Sequence, residues 1–337
     1  MIDRKQLVSS HNPVLTKADK ESALTVGNGE LGFTADITGL QTLYGEYNVL
    51  PLCTMSQWGW HTKPVNGDRY DYTLKDLVMT EFEECTGRHL VYPKEKMPGN
   101  EEVYDWLRQN PHRLNLARIR FLWEGQEIKE AQITDIHQEL KLYEGVLESS
   151  FSVEGVPCRV LTACHNEGKD ILGFEVECEA LQEEKLTVEI SFPYGSPEIT
   201  ASDFTCPEKH QTEKIREAAG RLLLKRTLDR DTSYVEIEAE EAALELFPEE
   251  HRVVITAKGG KLDFSVAFGK TAGKAQAVSA EEVLKASGEG WKNYWEKGGI
   301  IRLNQSKDKR AMELERRIIL SQYLMAVNSS GSTPPQE

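Results

Sequence analysis

The sequence predicts a mainly β protein, with two large stacked antiparallel sheets followed by a short helical region. More than ten strand-like runs follow one another at spacings near ten residues and are separated by Gly- and Asn-containing turns. Hydrophobic residues make up 39% of the 337 positions, which is enough for a packed core. Near residue 279 the spacing of apolar residues changes to that of a helix.

Charge and targeting signals restrict the partners of this chain. Its formal charge is -15, from 55 acidic and 40 basic residues. Such a balance repels phosphate backbones and anionic membrane surfaces, so we expect a neutral partner and neither nucleic acid nor membrane. The N-terminus lacks the basic start and apolar core of a signal peptide, and no apolar run reaches membrane-spanning length. A cytoplasmic location is therefore expected.

The six cysteines are scattered, with no Cys-x-x-Cys pair. This spacing predicts neither a zinc site nor a disulfide framework. No metal-ligand cluster, Ser/His/Asp series or nucleotide-binding loop is visible in the sequence. We therefore predict no metal and no cofactor.

The first ordered feature is a β-hairpin. Residues 23–26 and 31–37 alternate in polarity around Asn28-Gly29, which is a strong hairpin signal. A second turn at Thr38-Gly39 predicts a further strand over residues 40–44. The glycines from Gly27 to Gly32 have the spacing of a phosphate-binding loop. A strand and not a helix follows them, so we interpret them as a turn.

The loop over residues 55–62 contains the candidate substrate-binding residues Gln57, Trp58, Trp60 and His61. Aromatic rings present flat apolar faces to the C–H faces of a sugar, while Gln and His reach its hydroxyls. This composition favours a neutral carbohydrate. The alternative is that both tryptophans cover the end of the sandwich core.

Residues 63–112 have a polar, Gly- and Pro-containing composition and are interpreted as an insertion with short helices at 74–79 and 101–109. Trp106 and His112 are interpreted as packing residues. After the insertion the β pattern continues, with a polar break at residues 202–219. The predicted strands are 114–123, 133–143, 146–153, 157–164, 171–179, 186–192, 222–228, 234–237, 243–247, 252–257 and 262–268.

The helical region starts at Ser279, a plausible N-cap, and its first helix runs to Trp295 before Gly298-Gly299. A short strand is predicted at 300–303. A second helix begins near Lys307, and its residues 318–327 are apolar almost all round. Such a helix must be covered on every side, so its partners are expected in a longer protein; the alternative is a terminal helix docked on its own domain.

Three segments carry a resemblance to a known clan of enzymes. They are the hairpin SALTVGNGELGF (22–33), the pair Trp291-x-x-x-Trp295, and the run from ELER (313–316) to SQYL (321–324) with the loop GSTPP (331–335). Together these resemble the six-hairpin glycosidases, the clan that includes glycoside hydrolase family 65, with its maltose and kojibiose phosphorylases and glucosyl-galactosyl-hydroxylysine glucosidase. In arrangement the resemblance covers nearly the whole chain.

The resemblance implies three parts. These are a β-supersandwich like that of galactose mutarotase over residues 1–272, with the insertion 63–112, a helical linker over 273–299, and the truncated start of a catalytic (α/α)6 barrel over 300–337. In that clan the barrel carries the acid and base carboxylates. The catalytic residues are therefore unknown here and expected after Glu337. Family 65-like members invert, using one carboxyl as the acid and another carboxyl or a phosphate at the opposite face.

The resemblance thus implies the N-terminal, non-catalytic domain of a carbohydrate-active glycoside hydrolase or phosphorylase. It would support the missing C-terminal barrel and lend the Gln57 to His61 loop to the sugar pocket, and a homodimer is compatible with it. Two alternatives stay open: a free-standing carbohydrate-binding module, and an aldose epimerase with a His acid and a Glu base. The β region offers His137, His165 and His210 for the latter, but none stands in a context tied to that chemistry. The sugar, the linkage and the choice between hydrolysis and phosphorolysis stay open too.

Overall fold

The computed structural model describes residues 2–65, 72–93 and 96–333, and in these ranges the chain is mainly β, with several antiparallel sheets and few helices. The α-helices are α1 (Arg4–Ser9), α2 (Glu101–Gln109), α3 (Glu179–Gln182), α4 (Ala280–Lys297) and α5 (Ala311–Ser329). The strands are β1 (Val14–Leu15), β2 (Leu24–Gly27), β3 (Leu31–Ala35), β4 (Thr54–Ser56), β5 (Trp60–His61), β6 (Thr80–Glu83), β7 (His89–Tyr92), β8 (His112–Arg113), β9 (Arg118–Trp123), β10 (Gln126–Glu127), β11 (Ile133–Lys141), β12 (Val146–Val153), β13 (Val156–Cys164), β14 (Ile171–Cys178), β15 (Leu186–Ser191), β16 (His210–Ala218), β17 (Arg221–Leu228), β18 (Asp231–Ala239), β19 (Ala242–Phe247), β20 (Arg252–Ala257) and β21 (Lys261–Gly269).

The largest sheet has nine strands in the order β1-β11-β12-β13-β14-β21-β18-β17-β16. Consecutive strands form hairpins, and β21 inserts between β14 and β18. The sequence pattern Glu154-Gly155 between two strand-like runs forms a turn: both residues have positive φ, of 48° and 78°, and they join β12 to β13 as a two-residue loop. That conformation matches the twist of the strands on either side.

A second layer packs on this sheet. It consists of the five-stranded sheet β10-β9-β15-β20-β19 and the three-stranded sheet β2-β3-β4. Phe121 on β9 lies 6.2 Å from Phe151 on β12, and Phe33 on β3 meets Phe174 on β14 edge to face at 5.5 Å. These rings belong to one continuous core, so both smaller sheets share an apolar interior with the large one.

Helix α4 begins as predicted, because the Ser279 side chain accepts a hydrogen bond from the backbone N–H of Glu282. It crosses the nine-stranded sheet, where Trp291 lies against Gly145. Gly145 has φ +65°, and a Cβ there would fall 2.0 Å from the indole, so only glycine fits. Tyr323 of α5 stacks on the other side of Trp291 at 4.4 Å. No helix in the described residues is both long and apolar enough to cross a membrane.

Several predicted elements differ in the structure. Residues 40–44 form no strand, because the buried Asp36 carboxylate accepts the backbone N–H groups of Thr38 and Leu43 that a neighbouring strand would otherwise have to satisfy. Residues 300–303 form no strand either, since the N–H of Leu303 donates to the carboxylate of Glu315 on α5.

Strand β16 and the hairpin β6–β7 were not predicted from the sequence. The predicted polar break contains β16, which is the edge of the nine-stranded sheet. Its side chains are mostly exposed, so the apolar alternation that signals a strand is absent. The insertion contains the hairpin β6–β7. Its two predicted helices are observed as a short 3-10 turn over Leu74–Asp76 and as α2.

Candidate functional site

The predicted binding loop crosses from the three-stranded sheet to the two-stranded sheet β5–β8. Gly59 makes the tight turn, with its N–H donating to the Ser56 carbonyl at 2.9 Å. In β5–β8, Trp60 lies opposite Arg113, and His61 lies opposite His112. Successive residues of a strand point to opposite faces, so Trp60 and His61 face different surroundings.

Trp58 points inward. Its indole N–H donates to Asp170 Oδ2 at 2.5 Å, and the Ser56 hydroxyl donates to the same oxygen at 2.6 Å. Burial raises the pKa of Asp170, while these two hydrogen bonds oppose the rise. The Trp58 ring packs against the main core. Its position therefore matches the alternative reading, in which this tryptophan covers the end of the sandwich.

His61 is fully buried. Its Nδ1 lies 3.1 Å from His112 Nε2, and its Nε2 lies 2.8 Å from Asp229 Oδ2, which also accepts the Tyr194 hydroxyl at 2.5 Å. Burial lowers the pKa of His61, and it lowers the pKa of His112 to about 4. The imidazole of His61 is therefore placed to fix β5 against β8 and not to reach a sugar hydroxyl directly.

Gln57 lines a cleft of about 510 Å³ between the sheet β2-β3-β4 and the C-terminal half of α5, here called the Gln57 cleft. Its polar lining residues include Thr25, Glu30, Thr34, Gln57, Arg113, Asn328 and Thr333, and Met55 lines it as well. Amide, hydroxyl, carboxylate and guanidinium groups thus line the Gln57 cleft together. Such a mixture suits a hydroxyl-rich ligand.

Trp60 lines a neighbouring cleft of about 530 Å³, here called the Trp60 cleft. Arg108 and Glu198 stand on its walls, and it shares Met55 and Arg113 with the Gln57 cleft. The Trp60 N–H donates to the Gln57 carbonyl at 2.9 Å, which fixes the ring. The structure therefore brings Gln57 and Trp60 to adjoining clefts and turns Trp58 and His61 away from them.

Gln57 also anchors the segment that follows α5. Its amide donates to the Ser332 hydroxyl at 2.8 Å, while the Glu30 carboxylate accepts the N–H of Ser332 at 2.5 Å. The N–H of Gly29 donates to the carbonyl of Val327 at 3.0 Å. The predicted hairpin turn and the predicted binding loop thus hold this segment at the rim of the Gln57 cleft. Pro334, Pro335 and Glu337, which the sequence analysis singled out, lie outside the described residues.

Arg113 is the site residue that sequence reasoning missed. It borders both clefts, and its guanidinium carbon lies 5.3 Å from the centroid of the Trp60 ring. Nothing in the local sequence marks it, because its neighbour across β5–β8 is 53 positions away by sequence number (113 minus 60). His112, predicted to be a packing residue, borders the Trp60 cleft as well.

The histidines considered for an epimerase lie on different elements. His137 is on β11, His165 follows β13, and His210 starts β16. His210 is buried, and its Nδ1 accepts a hydrogen bond from Arg226 at 2.7 Å. Burial and the Arg226 charge lower the pKa of His210 to about 3. A ring so engaged is a poor general acid at neutral pH.

Among the residues that the structure describes, no three His, Cys, Asp or Glu side chains are arranged as metal ligands would be. The six cysteines are unpaired, and Cys85 alone among them is exposed.

Comparison with known proteins bears on the fold. No protein-family model matches the sequence, and no curated protein matches it. Among solved structures, the chain is similar to one described as "Putative kojibiose phosphorylase from human microbiome", with a TM-score of 0.55 and 10% sequence identity. The match covers 94% of this chain and 41% of that one. At this identity the likeness shows a shared fold, and this chain spans less than half the length of its neighbour.

Proposed function

We propose that this chain is the N-terminal, non-catalytic domain of a carbohydrate-active enzyme of the six-hairpin glycosidase type, related to glycoside hydrolase family 65. The enzyme would act by inverting hydrolysis or by phosphorolysis. Support comes from the structural likeness, which extends over 94% of this chain but only 41% of the kojibiose phosphorylase-like neighbour. The remaining part of such an enzyme would hold the catalytic carboxylates in an (α/α)6 barrel.

The outer face of α5 carries this proposal. Buried Ile319, Tyr323 and Val327 face the sandwich, whereas Leu314 and Met325 on the opposite side are 53% and 66% exposed. Apolar side chains on both sides of a helix favour packing on both sides. We infer that further helices cover the outer face, which makes α5 the first helix of a barrel.

The second role that we propose for the domain is to contribute residues to the sugar pocket. The Gln57 cleft lies beside the segment that follows α5, and Gln57 bonds to that segment directly. A sugar held at a barrel mouth near this segment would therefore meet Gln57 and, next to it, Trp60. The loop would shape the sugar pocket while the barrel performs the chemistry.

Activity assays test this proposal. The purified 337-residue chain, incubated with aryl glycosides and with disaccharides in the presence and absence of phosphate, should show no turnover. A protein that contains this chain together with a downstream barrel should turn over at least one of these substrates. In that longer protein, Gln57→Ala should raise KM, whereas Gln211→Ala, which changes an exposed glutamine on the edge strand β16, should leave KM unchanged. Saturable turnover by the 337-residue chain alone would refute the non-catalytic role.

A free-standing carbohydrate-binding module is the second candidate, because both clefts are formed by this chain without any partner. The structure separates the two tryptophans that this reading invokes. Trp60→Ala should abolish sugar-induced quenching of fluorescence in the 337-residue chain, while Trp58→Ala should act only through lost stability. Saturable sugar binding by the chain alone would favour the module over the supporting domain.

A further inference from the structure

One nitrogen of the Arg113 guanidinium lacks a hydrogen-bond acceptor. Arg113 Nη1 is buried without a hydrogen-bond partner, and within the described part of the chain Arg113 forms no ion pair. The nearby strand arginines differ, since Arg118 and Arg120 both pair with Glu189. A buried donor that is left unpaired has a cost in free energy. An acceptor that arrives with a ligand would remove this cost.

The position of Arg113 is fixed by Trp60. The two residues are opposite each other in β5–β8, and the guanidinium lies over the indole ring. A cation–π contact holds a guanidinium in place and leaves its N–H groups available for hydrogen bonds. Arg113 is thus a charge held at the wall between two clefts.

The Trp60 cleft has a local excess of positive charge. Arg108 and Arg113 line it against one carboxylate, Glu198, which forms no ion pair with Arg113. His112, the remaining titratable neighbour, has its pKa lowered to about 4 and is neutral at pH 7. The chain as a whole has a formal charge of -15, whereas two arginines and one carboxylate line this cleft. The cleft therefore attracts an anion.

We propose that Arg113, backed by Trp60, binds an anionic group carried by a sugar in the Trp60 cleft. The inference rests on the proposed function for the statement that the ligand is a sugar, and it differs from the expectation that the partner is neutral. The fork of the guanidinium matches the two oxygens of a carboxylate or a phosphate ester. Binding requires the guanidinium to turn slightly toward the cleft, since Nη1 is closed off from solvent.

Three ligands that differ at one carbon test the proposal. Glucose, glucuronate and glucose 6-phosphate carry a hydroxyl, a carboxylate and a phosphate ester at the same position. Titration calorimetry with the 337-residue chain should show at least one of the two anions binding roughly tenfold or more tighter than glucose, as a charge-assisted hydrogen bond allows. The better anion identifies which group the site prefers.

Substitutions assign the preference to Arg113. Arg113→Gln should remove the preference for the anion over glucose, while Arg113→Lys, which keeps the charge without the fork, should retain part of that preference. Arg108→Gln is the matched control on the same cleft wall and should change the preference by less than about threefold. Urea unfolding of each variant separates loss of binding from loss of fold.

The outcomes are distinguishable. Equal affinity for all three ligands, or binding of none of them, overturns the proposal, as does an anion preference that survives in a folded Arg113→Gln protein. If glucose and the two anions bind equally well, only the anionic site is refuted, and the turnover assays still decide between the supporting domain and the binding module. If Arg113→Gln does not fold, the wild-type ligand series and Arg113→Lys decide the question.

Discussion

At the scale of single residues, buried carboxylates organise the irregular segments of this protein. Asp170 holds both Trp58 and Ser56, and Asp36 holds the turn that replaces the predicted third strand. Each carboxylate supplies acceptors to groups that no neighbouring strand satisfies. Because these groups are out of water, losing the carboxylate leaves several donors unpaired at once.

Asp170→Ala should lower the free energy of unfolding by about 2–3 kcal/mol, since the Trp58 N–H and the Ser56 hydroxyl lose their acceptor. Urea denaturation followed by fluorescence measures the effect. Glu167→Gln, an exposed change in the preceding turn, should shift the value by less than about 0.5 kcal/mol. Equal stability of the two variants would mean that the Trp58 loop is held by apolar packing alone.

The buried histidines predict acid sensitivity. His112 and His210 have pKa values of about 4 and about 3, below their usual 6.5, because burial disfavours the imidazolium. The unfolded chain therefore binds more protons than the native one below pH 6.5, so stability is complete above that pH and falls toward pH 4 and below. Buried carboxyls act in the opposite direction, since burial raises the pKa of Asp36 from 3.8 to about 6 and also raises that of Asp170.

The midpoint of urea denaturation, measured at pH values between 7.5 and 4.5, tests whether stability falls with pH. His210→Asn keeps an acceptor for Arg226 but cannot be protonated, so its stability should depend less steeply on pH than that of the unsubstituted chain. His137→Asn changes an exposed histidine and should keep the original slope. A stability that rises as the pH falls from 6.5 would show that Asp36 outweighs the histidines.

At the scale of elements, α5 depends on the turn of the first hairpin. Gly29 has φ +89°, and a Cβ there would lie 2.4 Å from Ser330 Oγ and 2.7 Å from Gly331 N. The turn and the end of α5 are therefore in contact along their backbones. The hairpin signal in the sequence thus has a second purpose, which is to receive the helix end.

Gly29→Ala should destabilise the chain by about 1–3 kcal/mol and increase hydrogen exchange at the C-terminal end of α5, because both the backbone conformation and the contact are lost. Gly32→Ala is the matched control in the same hairpin: it has no positive φ, and a Cβ there meets nothing within 4 Å. Similar exchange in both variants would show that α5 does not rest on this turn.

At the scale of the whole molecule, α5 has one covered face and one open face. Leu314→Gln with Met325→Gln, both on the open face, should change the unfolding free energy of the 337-residue chain by less than about 0.5 kcal/mol. Ile319→Ala, on the covered face, should cost about 2–4 kcal/mol. Urea denaturation compares the two.

The same double variant tests what covers the open face. In a longer protein with a barrel, it should weaken the contact between the barrel and this domain and lower the thermal midpoint. Sedimentation of the 337-residue chain separately tests for the homodimer with which the resemblance is compatible: a dimer formed through α5 would dissociate in the double variant. A large stability loss in the monomeric chain would mean that the face is already covered.

The position of the binding loop was predicted from the sequence, but the orientations of its side chains were not. Composition marked Gln57, Trp58, Trp60 and His61 as a group, and two of them, Gln57 and Trp60, line clefts. The sequence could not show which of the four side chains reach a cleft, because the orientation of each side chain depends on a partner far away in the chain. Trp58 turns toward Asp170, 112 positions away, and His61 turns toward Asp229, 168 positions away.

The sequence by itself determined the features that adjacent residues encode: the runs of alternating polarity, the turns such as Glu154-Gly155, and the N-cap Ser279. These depend on local backbone preferences and local hydrogen bonds, so neighbouring residues specify them. The tertiary structure alone decided which face of α5 is buried, which loop residues reach a cleft, and that Arg113 stands between two clefts without an acceptor. Burial and pairing of this kind are set by contacts between segments far apart in the chain, as between Gln57 and Ser332, 275 positions apart, and no local pattern records them.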